Sequence, residues 1–265
     1  MPRFCANLTM MFNEVPFLDR FEAAAKAGFR AVEFLFPYDF AAADIRARLD
    51  GNGLQQVLFN MPPGDWAAGE RGTAALPGRQ AEFRAGVGKA LEYAGALGCT
   101  RLHCMAGIPP AGLVAGAAAN LYANNLAWAA EQAHAAGVMV VIEPINHRDM
   151  PGFLLNTTAQ AAGVVEALGR DRVRLLFDVY HTQVTEGDVT TRMKALLPII
   201  GHVQVADVPA RNEPGTGEIG WRYVFGQMDA IGYDGWVGCE YRPAAGTQAG
   251  LGWREAFASK GPAGR

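Results

Sequence analysis

Eight short apolar runs alternate with longer alanine- and leucine-rich stretches, and this alternation limits the folds open to the chain. The runs, typical of buried strands, occupy residues 3–9, 31–36, 55–60, 101–105, 138–143, 173–178, 202–206 and 236–240. Stretches with a helical pattern occupy residues 15–27, 40–52, 79–97, 117–136, 157–168 and 219–231. Several of these stretches are followed directly by glycine, at Gly28, Gly98, Gly137 and Gly232. Glycine tolerates the left-handed conformation that terminates a helix. Strands that alternate with helices pair in parallel through right-handed crossovers.

Eight such units favour a closed (β/α)8 barrel, the TIM barrel, over an open doubly wound sheet. The length of 265 residues fits, because barrels of this kind typically need roughly 250 residues. No glycine-rich dinucleotide turn follows the first run, and no linker or low-complexity block divides the chain. We therefore predict one α/β barrel domain over residues 1–258 and a C-terminal tail over residues 259–265.

Composition excludes several classes of partner. The formal net charge is −3 and 18% of the residues are charged, so no basic face predicts binding to nucleic acid. No apolar run approaches the roughly 20 residues of a membrane span, and the N-terminus lacks a stretch suited to export. The four cysteines show no CxxC or zinc-finger spacing. We expect a cytoplasmic protein with reduced thiols; a homo-oligomer stays open, since sequence does not reveal surface patches.

Four of the later runs carry a polar residue at or near their ends: Glu143, Asp178, Gln204 and Glu240. Carboxylates are almost never fully buried unless they are paired or bind a metal. Because the carboxyl ends of parallel strands meet at one rim of a barrel, these side chains can converge. Three carboxylates and an amide oxygen suit a hard divalent cation, Mg²⁺ or Mn²⁺. For any single member, the alternative is an ion pair or a helix N-cap.

Two members of the set, Glu143 and Glu240, can also move protons. If they flank a substrate, one can remove a proton from carbon while the other returns it to the neighbouring carbon. The metal would polarise substrate oxygens and stabilise the developing enediolate charge. No GxSxG motif indicates a serine nucleophile. The set therefore predicts proton transfer next to a carbonyl.

A long irregular insert at residues 61–77 follows the third run, and strand-to-helix loops lie on the face where barrels build their active sites. Its Trp66 and Arg71 are predicted to cover a small ligand and to meet its negative charge, although Trp66 alone can also serve as a surface anchor. His181 is predicted to contact substrate oxygens or, alternatively, to orient the loop backbone. Arg211 is a predicted carboxylate clamp, because guanidinium binds carboxylate in bidentate fashion.

Two histidines lie within the predicted strands and need a separate interpretation. His202 stands two residues before Gln204, so its side chain should point to the same side but one layer deeper. His103 lies inside the fourth run. We predict supporting or structural roles for both rather than direct ligation.

Several motifs resemble the hydroxypyruvate isomerase family, whose members are xylose-isomerase-like barrels. The matching segments run from the second strand almost to the C-terminus. They are Phe34-Leu-Phe-Pro-Tyr38, Gly64-Asp-Trp-Ala-Ala-Gly-Glu-Arg-Gly72, Ile142-Glu-Pro-Ile-Asn-His147, Phe177-Asp-Val-Tyr-His181, Gly201-His-Val-Gln-Val-Ala-Asp207, Glu213-Pro-Gly-Thr-Gly-Glu218 and Gly235-Trp-Val-Gly-Cys-Glu-Tyr241.

The resemblance implies interconversion of hydroxypyruvate and 2-hydroxy-3-oxopropanoate (tartronate semialdehyde), with this hydroxy-oxo acid as the small-molecule partner. It implies that Glu143 and Glu240 form the acid/base pair, and that they hold the divalent metal together with Asp178 and Gln204. A branch of the same family resembles 2-oxo-tetronate isomerases, which act on a four-carbon acid, and this alternative stays open. The related ketose 3-epimerases usually carry histidine at the position of Gln204, which argues against them.

Two other classes of protein are weaker alternatives. A phosphodiesterase or repair nuclease on the same barrel would need two or three metals and several histidine ligands. The whole chain has only five histidines, and its mildly acidic charge disfavours DNA binding. A non-catalytic binding barrel would tolerate loss of the two glutamates, and both are present.

Overall fold

The computed structural model describes residues 2–114 and 116–257. The predicted tail over residues 259–265 lies outside these described residues. Its proposed boundary with the barrel therefore stays a prediction.

Eight parallel strands close into a barrel in chain order, and the last strand pairs with the first. The strands are β1 (Arg3–Asn7), β2 (Ala31–Glu33), β3 (Gln55–Asn60), β4 (Arg101–His103), β5 (Met139–Ile142), β6 (Val173–Asp178), β7 (Ile200–Val205) and β8 (Trp236–Cys239). All eight predicted strands are present, and the predicted single (β/α)8 barrel is confirmed.

Within the described residues, ten α-helices and two 3₁₀ turns accompany the strands. The helices are α1 (Arg20–Lys26), α2 (Ala42–Asn52), α3 (Gln80–Leu97), α4 (Ala117–Ala135), α5 (Thr158–Leu168), α6 (Val179–Thr185), α7 (Val189–Leu196), α8 (Trp221–Ala230), α9 (Thr247–Gly250) and α10 (Gly252–Phe257). Each of the six predicted helical stretches contains one of them. Helices α6 and α7, between β6 and β7, were not singled out from the sequence, because two turns are too short for a clear pattern.

Several helices end at the glycines that the sequence predicts as helix ends. Helix α3, for example, ends at Gly98 with φ of 66°, and its N–H donates to the carbonyls of Ala94 and Gly95. The other predicted helix-ending glycines, Gly28, Gly137 and Gly232, also have positive φ. None of the described helices is both long enough and apolar enough to cross a membrane.

The barrel interior changes from apolar to polar along the strands. A small apolar cluster on the barrel strands consists of Cys5, Ala31, Val57, Leu58, Val141 and Leu176, and Cys5, Ala31 and Leu176 belong to its inward row. A much larger apolar cluster fills the space between the strands and the helices. Because side chains on a strand alternate between its faces, the inward row continues two residues further with Asn7, Glu33 and Asp178. The apolar layer thus supports a buried polar layer near the carboxyl ends of the strands.

Strand β8 passes close to the carboxylate of Glu33 at Gly238. A Cβ atom built on Gly238 would overlap both carboxylate oxygens of Glu33. The backbone of β8 can therefore approach this buried acid only because position 238 has no side chain.

Replacing Gly238 by alanine should destabilise the protein by about 1–3 kcal/mol, the usual range for inserting a methyl group into a packed interior. Urea unfolding would measure the change. The matched control is Gly163→Ala on helix α5, where an added Cβ meets open space and should leave stability equal or slightly higher. Equal effects at the two positions would contradict the close approach at Gly238.

Candidate active site

Glu143, Asp178, Gln204 and Glu240 converge at the carboxyl end of the barrel. They lie within one residue of the ends of β5, β6, β7 and β8, and each is less than 8% exposed. Asp178 and Gln204 are direct neighbours across β6 and β7. The closed barrel therefore brings together four residues that are spread over almost a hundred positions of the chain.

Three oxygens of this group have no hydrogen-bond partner within the described part of the chain. They are Oε1 of Glu143, Oδ2 of Asp178 and Oε1 of Gln204, and all three are buried. Unpaired buried acceptors are rare in native structures and need an explanation such as a bound ion. Two carboxylate oxygens and one amide oxygen form a donor set that fits a hard divalent cation.

The two carboxylate oxygens of Asp178 differ in their hydrogen-bond partners. Oδ1 accepts hydrogen bonds from the backbone N–H groups of Tyr180 at 2.6 Å and His181 at 3.3 Å, which caps helix α6. Oδ2 has no such partner. The N-cap alternative is therefore correct for one oxygen, and the other remains available for a ligand.

Arg211 lies against the acidic group. Its Nη2 is 3.4 Å from Oε1 of Glu240 and 3.7 Å from Oδ2 of Asp178, and its guanidinium stacks over the ring of Tyr180. Its φ of 59° is unusual for a residue other than glycine, and strain of this kind is concentrated at functional sites. Burial favours loss of its proton, but the surrounding carboxylates outweigh this effect and raise the pKa of Arg211. The predicted clamp thus already contacts two acids of the protein itself.

His181 turns one ring nitrogen toward the acids. The backbone and side-chain amides of Asn146 both contact Nδ1, at 3.3 and 2.6 Å. Because Nδ1 accepts from the backbone N–H, the neutral ring carries its proton on Nε2. Nε2 lies 3.7 Å from Oε1 of Glu143 and 3.9 Å from Oδ2 of Asp178. Burial, followed by the charge of Arg211, lowers the pKa of His181 well below its usual value, so the ring is a neutral donor.

His103 also reaches the site, with Nδ1 at 3.6 Å from Oε2 of Glu143. Burial lowers the pKa of His103 to about 3, so this ring is also neutral. Its contact with Glu143 agrees with the predicted supporting role.

Glu33 is not among the residues that the sequence analysis predicted for the site. Its Oε1 accepts from Nδ2 of Asn7 at 3.0 Å and from Nε2 of Gln204 at 2.8 Å. Its Oε2 contacts Nε2 of His202 at 2.7 Å and Sγ of Cys5 at 3.5 Å. Burial opposes its ionisation, but His202 and the amide donors outweigh burial and lower the pKa of Glu33. An acid directly after Ala31 and Val32 is the same pattern that marks the later strands, so the sequence did contain a clue.

The insert after β3 lies over the same rim. The guanidinium of Arg71 stacks on the ring of Trp66 with its central carbon 3.9 Å from the ring centre. Trp66 is 37% exposed and also contacts the ring of Phe36. Gly72 holds the insert against the loop after β4, because a Cβ atom there would overlap the carbonyl of Met105. Both interpretations of Trp66 therefore have support: it anchors the loop and faces the cavity.

A cavity of about 430 Å³ lies between this insert and the acidic group. Every predicted site residue except Asp178 and Gln204 lines this cavity. Arg242, which was not predicted, also lines it, and the backbone N–H of Arg242 donates to the carbonyl of Arg211. Arg242 directly follows a matching motif, but its position in the eighth loop gave no separate reason to predict it. The cavity is small and is lined by arginines and buried acids.

Burial raises the pKa of each of the three carboxyl groups. For Glu143 the charges of Glu240 and Asp178 add to burial, and its pKa lies well above the usual value. Burial raises the pKa of Glu240 to about 8 and also raises that of Asp178, in both cases against the opposing charge of Arg211. One guanidinium is therefore too little positive charge for three buried carboxylates.

A family model described as xylose isomerase-like TIM barrel matches residues 21–257. The chain belongs to this family. Its relatives include the 2-oxo-tetronate isomerase of Cupriavidus necator, 58% identical over 257 residues that cover 97% of this chain and 99% of the relative. The hydroxypyruvate isomerase of Escherichia coli is 46% identical over 257 residues that cover 97% of this chain and all of the relative.

Solved structures agree with this family membership. A crystal structure described as AP endonuclease, family 2, from Brucella melitensis superimposes with a TM-score of 0.94. It is 49% identical, and the match covers 97% of this chain and 99% of that one. The family model and the relatives confirm the predicted family, and the relatives named isomerases confirm the predicted isomerase class.

In the presence of a chelator, this barrel should lose stability as the pH rises from 6 to 9. The folded-state pKa of Glu240, about 8, exceeds its ordinary value of 4.5, so the folded state holds this proton more tightly than the unfolded state does. The resulting stability is complete below about pH 4.5 and is lost as the pH rises through about 8. Urea unfolding at several pH values would measure a fall of a few kcal/mol. Glu240→Gln should show a smaller fall, and a stability that rises over this range would contradict the raised pKa.

Proposed function

We propose that the protein is a divalent-metal-assisted aldose–ketose isomerase of short hydroxy-oxo acids. The observation that carries this proposal is the convergence of three carboxylates and one amide, with three unpaired buried oxygens, beneath a small arginine-lined cavity. The preferred substrate in this proposal is the four-carbon acid 2-oxo-tetronate, and hydroxypyruvate is the second candidate.

The cation would be held by Glu143, Asp178, Gln204 and Glu240, with Mg²⁺ or Mn²⁺ as the candidates. When bound, such an ion supplies a Lewis acid that polarises substrate oxygens and offsets negative charge. The donor set supports this assignment, because three ionised carboxylates against one guanidinium would leave two negative charges for a divalent cation to balance. Hard cations favour oxygen donors of this type, whereas zinc usually takes histidine or cysteine.

Glu143 and Glu240 are the proposed acid/base pair. They follow strands β5 and β8, with the other two members of the set on the strands between them. One carboxylate takes the proton from the hydroxyl-bearing carbon next to the carbonyl, and the other returns a proton to the former carbonyl carbon. A proton also passes between the two substrate oxygens, so the carbonyl moves by one position and no redox partner is required. A buried carboxyl group is well suited to this task, since burial brings its pKa toward the working pH.

The neutral ring of His181 is proposed to donate from Nε2 to a substrate oxygen. Asn146 fixes the ring from the opposite side, through the contacts to Nδ1. A neutral donor can stabilise charge that develops on the substrate without adding a full positive charge beside Arg211.

Arg71 and Arg211 are the proposed partners of the substrate carboxylate. Arg71 donates only to the backbone carbonyls of Trp66 and Glu70 among its hydrogen bonds in the described structure, so its charge is free to meet a ligand. Arg211 contacts two acids of the site and would bind the same carboxylate less directly. Trp66 would cover the ligand from the side of the insert.

Sequence identity favours the four-carbon substrate. The relative named 2-oxo-tetronate isomerase is 58% identical, whereas the hydroxypyruvate isomerase of Escherichia coli is 46% identical. Two further relatives named 2-oxo-tetronate isomerase, from Haemophilus influenzae and Pectobacterium atrosepticum, are 45% and 43% identical. The motifs resemble the hydroxypyruvate isomerase family as a whole and do not separate the two acids, so the acids need a direct comparison.

A substrate panel tests the proposal. Chelated protein would be supplied with Mg²⁺ or Mn²⁺ and followed by proton NMR with 2-oxo-tetronate, hydroxypyruvate and a neutral ketohexose. We expect metal-dependent isomerisation of the acids, with a higher kcat/KM for 2-oxo-tetronate, and no reaction of the ketohexose. Epimerisation of the ketohexose would replace the proposal with a sugar epimerase. Turnover that is undiminished in the presence of chelator would show that the proposed requirement for a metal is wrong.

Replacing Glu240 by glutamine should lower kcat by about 10²–10⁴-fold, the usual contribution of a general acid or base. The side chains have similar shapes, so far-UV circular dichroism should be unchanged. The matched control is Glu166→Gln, which removes an equal charge from the exposed surface of α5 and should retain full activity. If Glu240→Gln kept its kcat, the proton-transfer role of this residue would be wrong.

A further inference from the structure

The polar layer beneath the rim contains a carboxylate that the proposed chemistry does not use. Glu33 is 1% exposed, and four side chains direct polar atoms at it: Cys5, Asn7, His202 and Gln204. Cys5, Glu33 and His202 have the residue types of a metal site, and their ligand atoms lie within 4.8 Å of one another. These atoms are already engaged with each other, however, so the cluster is a filled hydrogen-bond network rather than a second cation site.

Gln204 connects this network to the rim. Its Nε2 donates to Oε1 of Glu33 at 2.8 Å, and its Oε1 is buried and has no partner in the described structure. An amide offers a cation a useful oxygen in only one of its two orientations, because the reversed amide presents an NH₂ group. Reversing Gln204 would also set its oxygen against the oxygen of Glu33. The hydrogen bond to Glu33 therefore selects the orientation that a cation requires.

Glu33 is itself held from several sides. Asn7 donates to Oε1, and its own side-chain oxygen accepts from the backbone N–H groups of Thr9 and Met10. The bare backbone of Gly238 closes off further space beside the carboxylate. The acceptor thus has a fixed position, and this position determines where the amide of Gln204 points.

We propose that Glu33 is a positioning residue for the cation, because it holds the amide of Gln204 with its oxygen turned to the rim. This inference rests on the cation site of the proposed function. It assigns to Glu33 a part in metal affinity, although Glu33 lies one layer below the ligands. Groups that orient metal ligands typically account for about 10- to 100-fold in affinity when they are removed.

Mn²⁺ binding to chelator-stripped protein, measured from the electron paramagnetic resonance of the free ion, tests the role of Glu33. Glu33→Leu keeps similar bulk but removes the acceptor, and we expect it to weaken Mn²⁺ binding by about 10- to 100-fold in the dissociation constant. Glu33→Gln is the matched variant. Cys5 and His202 can each accept as well as donate, so the introduced amide can turn its NH₂ group to them and its oxygen to Gln204. Glu33→Gln should therefore retain most of the affinity.

A double-mutant cycle with Gln204→Ala separates positioning from general loosening of the barrel. If Glu33 acts through the amide, Glu33→Leu should weaken Mn²⁺ binding no further once that amide is absent. Losses that multiply in the double variant would overturn the inference. So would a Glu33→Leu protein with wild-type affinity.

The wild-type protein distinguishes this inference from the proposed function. If it failed to bind Mn²⁺, the cation site and the inference would both fall. If it bound Mn²⁺ and Glu33→Leu bound equally well, only the inference would fall. Circular dichroism checks folding, and should Glu33→Leu not fold, Glu33→Asp withdraws the acceptor by one methylene while keeping the charge. We expect weaker binding for that variant, and unchanged binding would overturn the inference.

Discussion

The candidate site is dominated by an imbalance of buried charge at one rim of the barrel. Three carboxylates and a single guanidinium share a site with almost no exposure to water, and burial is the largest cause that raises the pKa of each acid. Keeping all three acids ionised without further positive charge is unfavourable, because burial disfavours the charged form of each carboxyl group. A divalent cation has the charge that would balance the group. The imbalance therefore points to function, and the rest of the barrel supports it.

A closed parallel barrel can sustain this imbalance because it separates folding from chemistry. The large apolar cluster between strands and helices, and the smaller one on the barrel strands, bury the surface that stabilises the fold. The strand ends above them are free to carry polar side chains in fixed positions. Backbone hydrogen bonds between neighbouring strands hold Asp178 beside Gln204 without any help from the site itself. Acids from separate parts of the chain can thus be held close together.

Hydrogen bonds between the apolar interior and the rim fix the orientation of the polar side chains. Asp178 uses one oxygen to cap α6 and keeps the other free, and His181 is fixed through Nδ1 so that Nε2 faces the acids. Gln204 is turned in the same manner by Glu33. In each case one polar atom is satisfied by the fold, and the other is left for a ligand. The matches to relatives named isomerases cover almost the full length of both chains, so the comparison includes the whole barrel that orients these groups.

The sequence by itself determined the architecture and predicted most of the residues that converge in the candidate site. Eight apolar runs, helix-ending glycines and polar residues at strand ends are local patterns, and each reflects a local cause: strand burial, left-handed helix ends and the alternation of side chains. Only the tertiary structure decided the partners. Glu33 meets His202 and Gln204 across the barrel, 169 and 171 positions away, and Arg211 faces two acids of the protein. Such contacts depend on closure of the sheet and on strand register, which no local pattern contains.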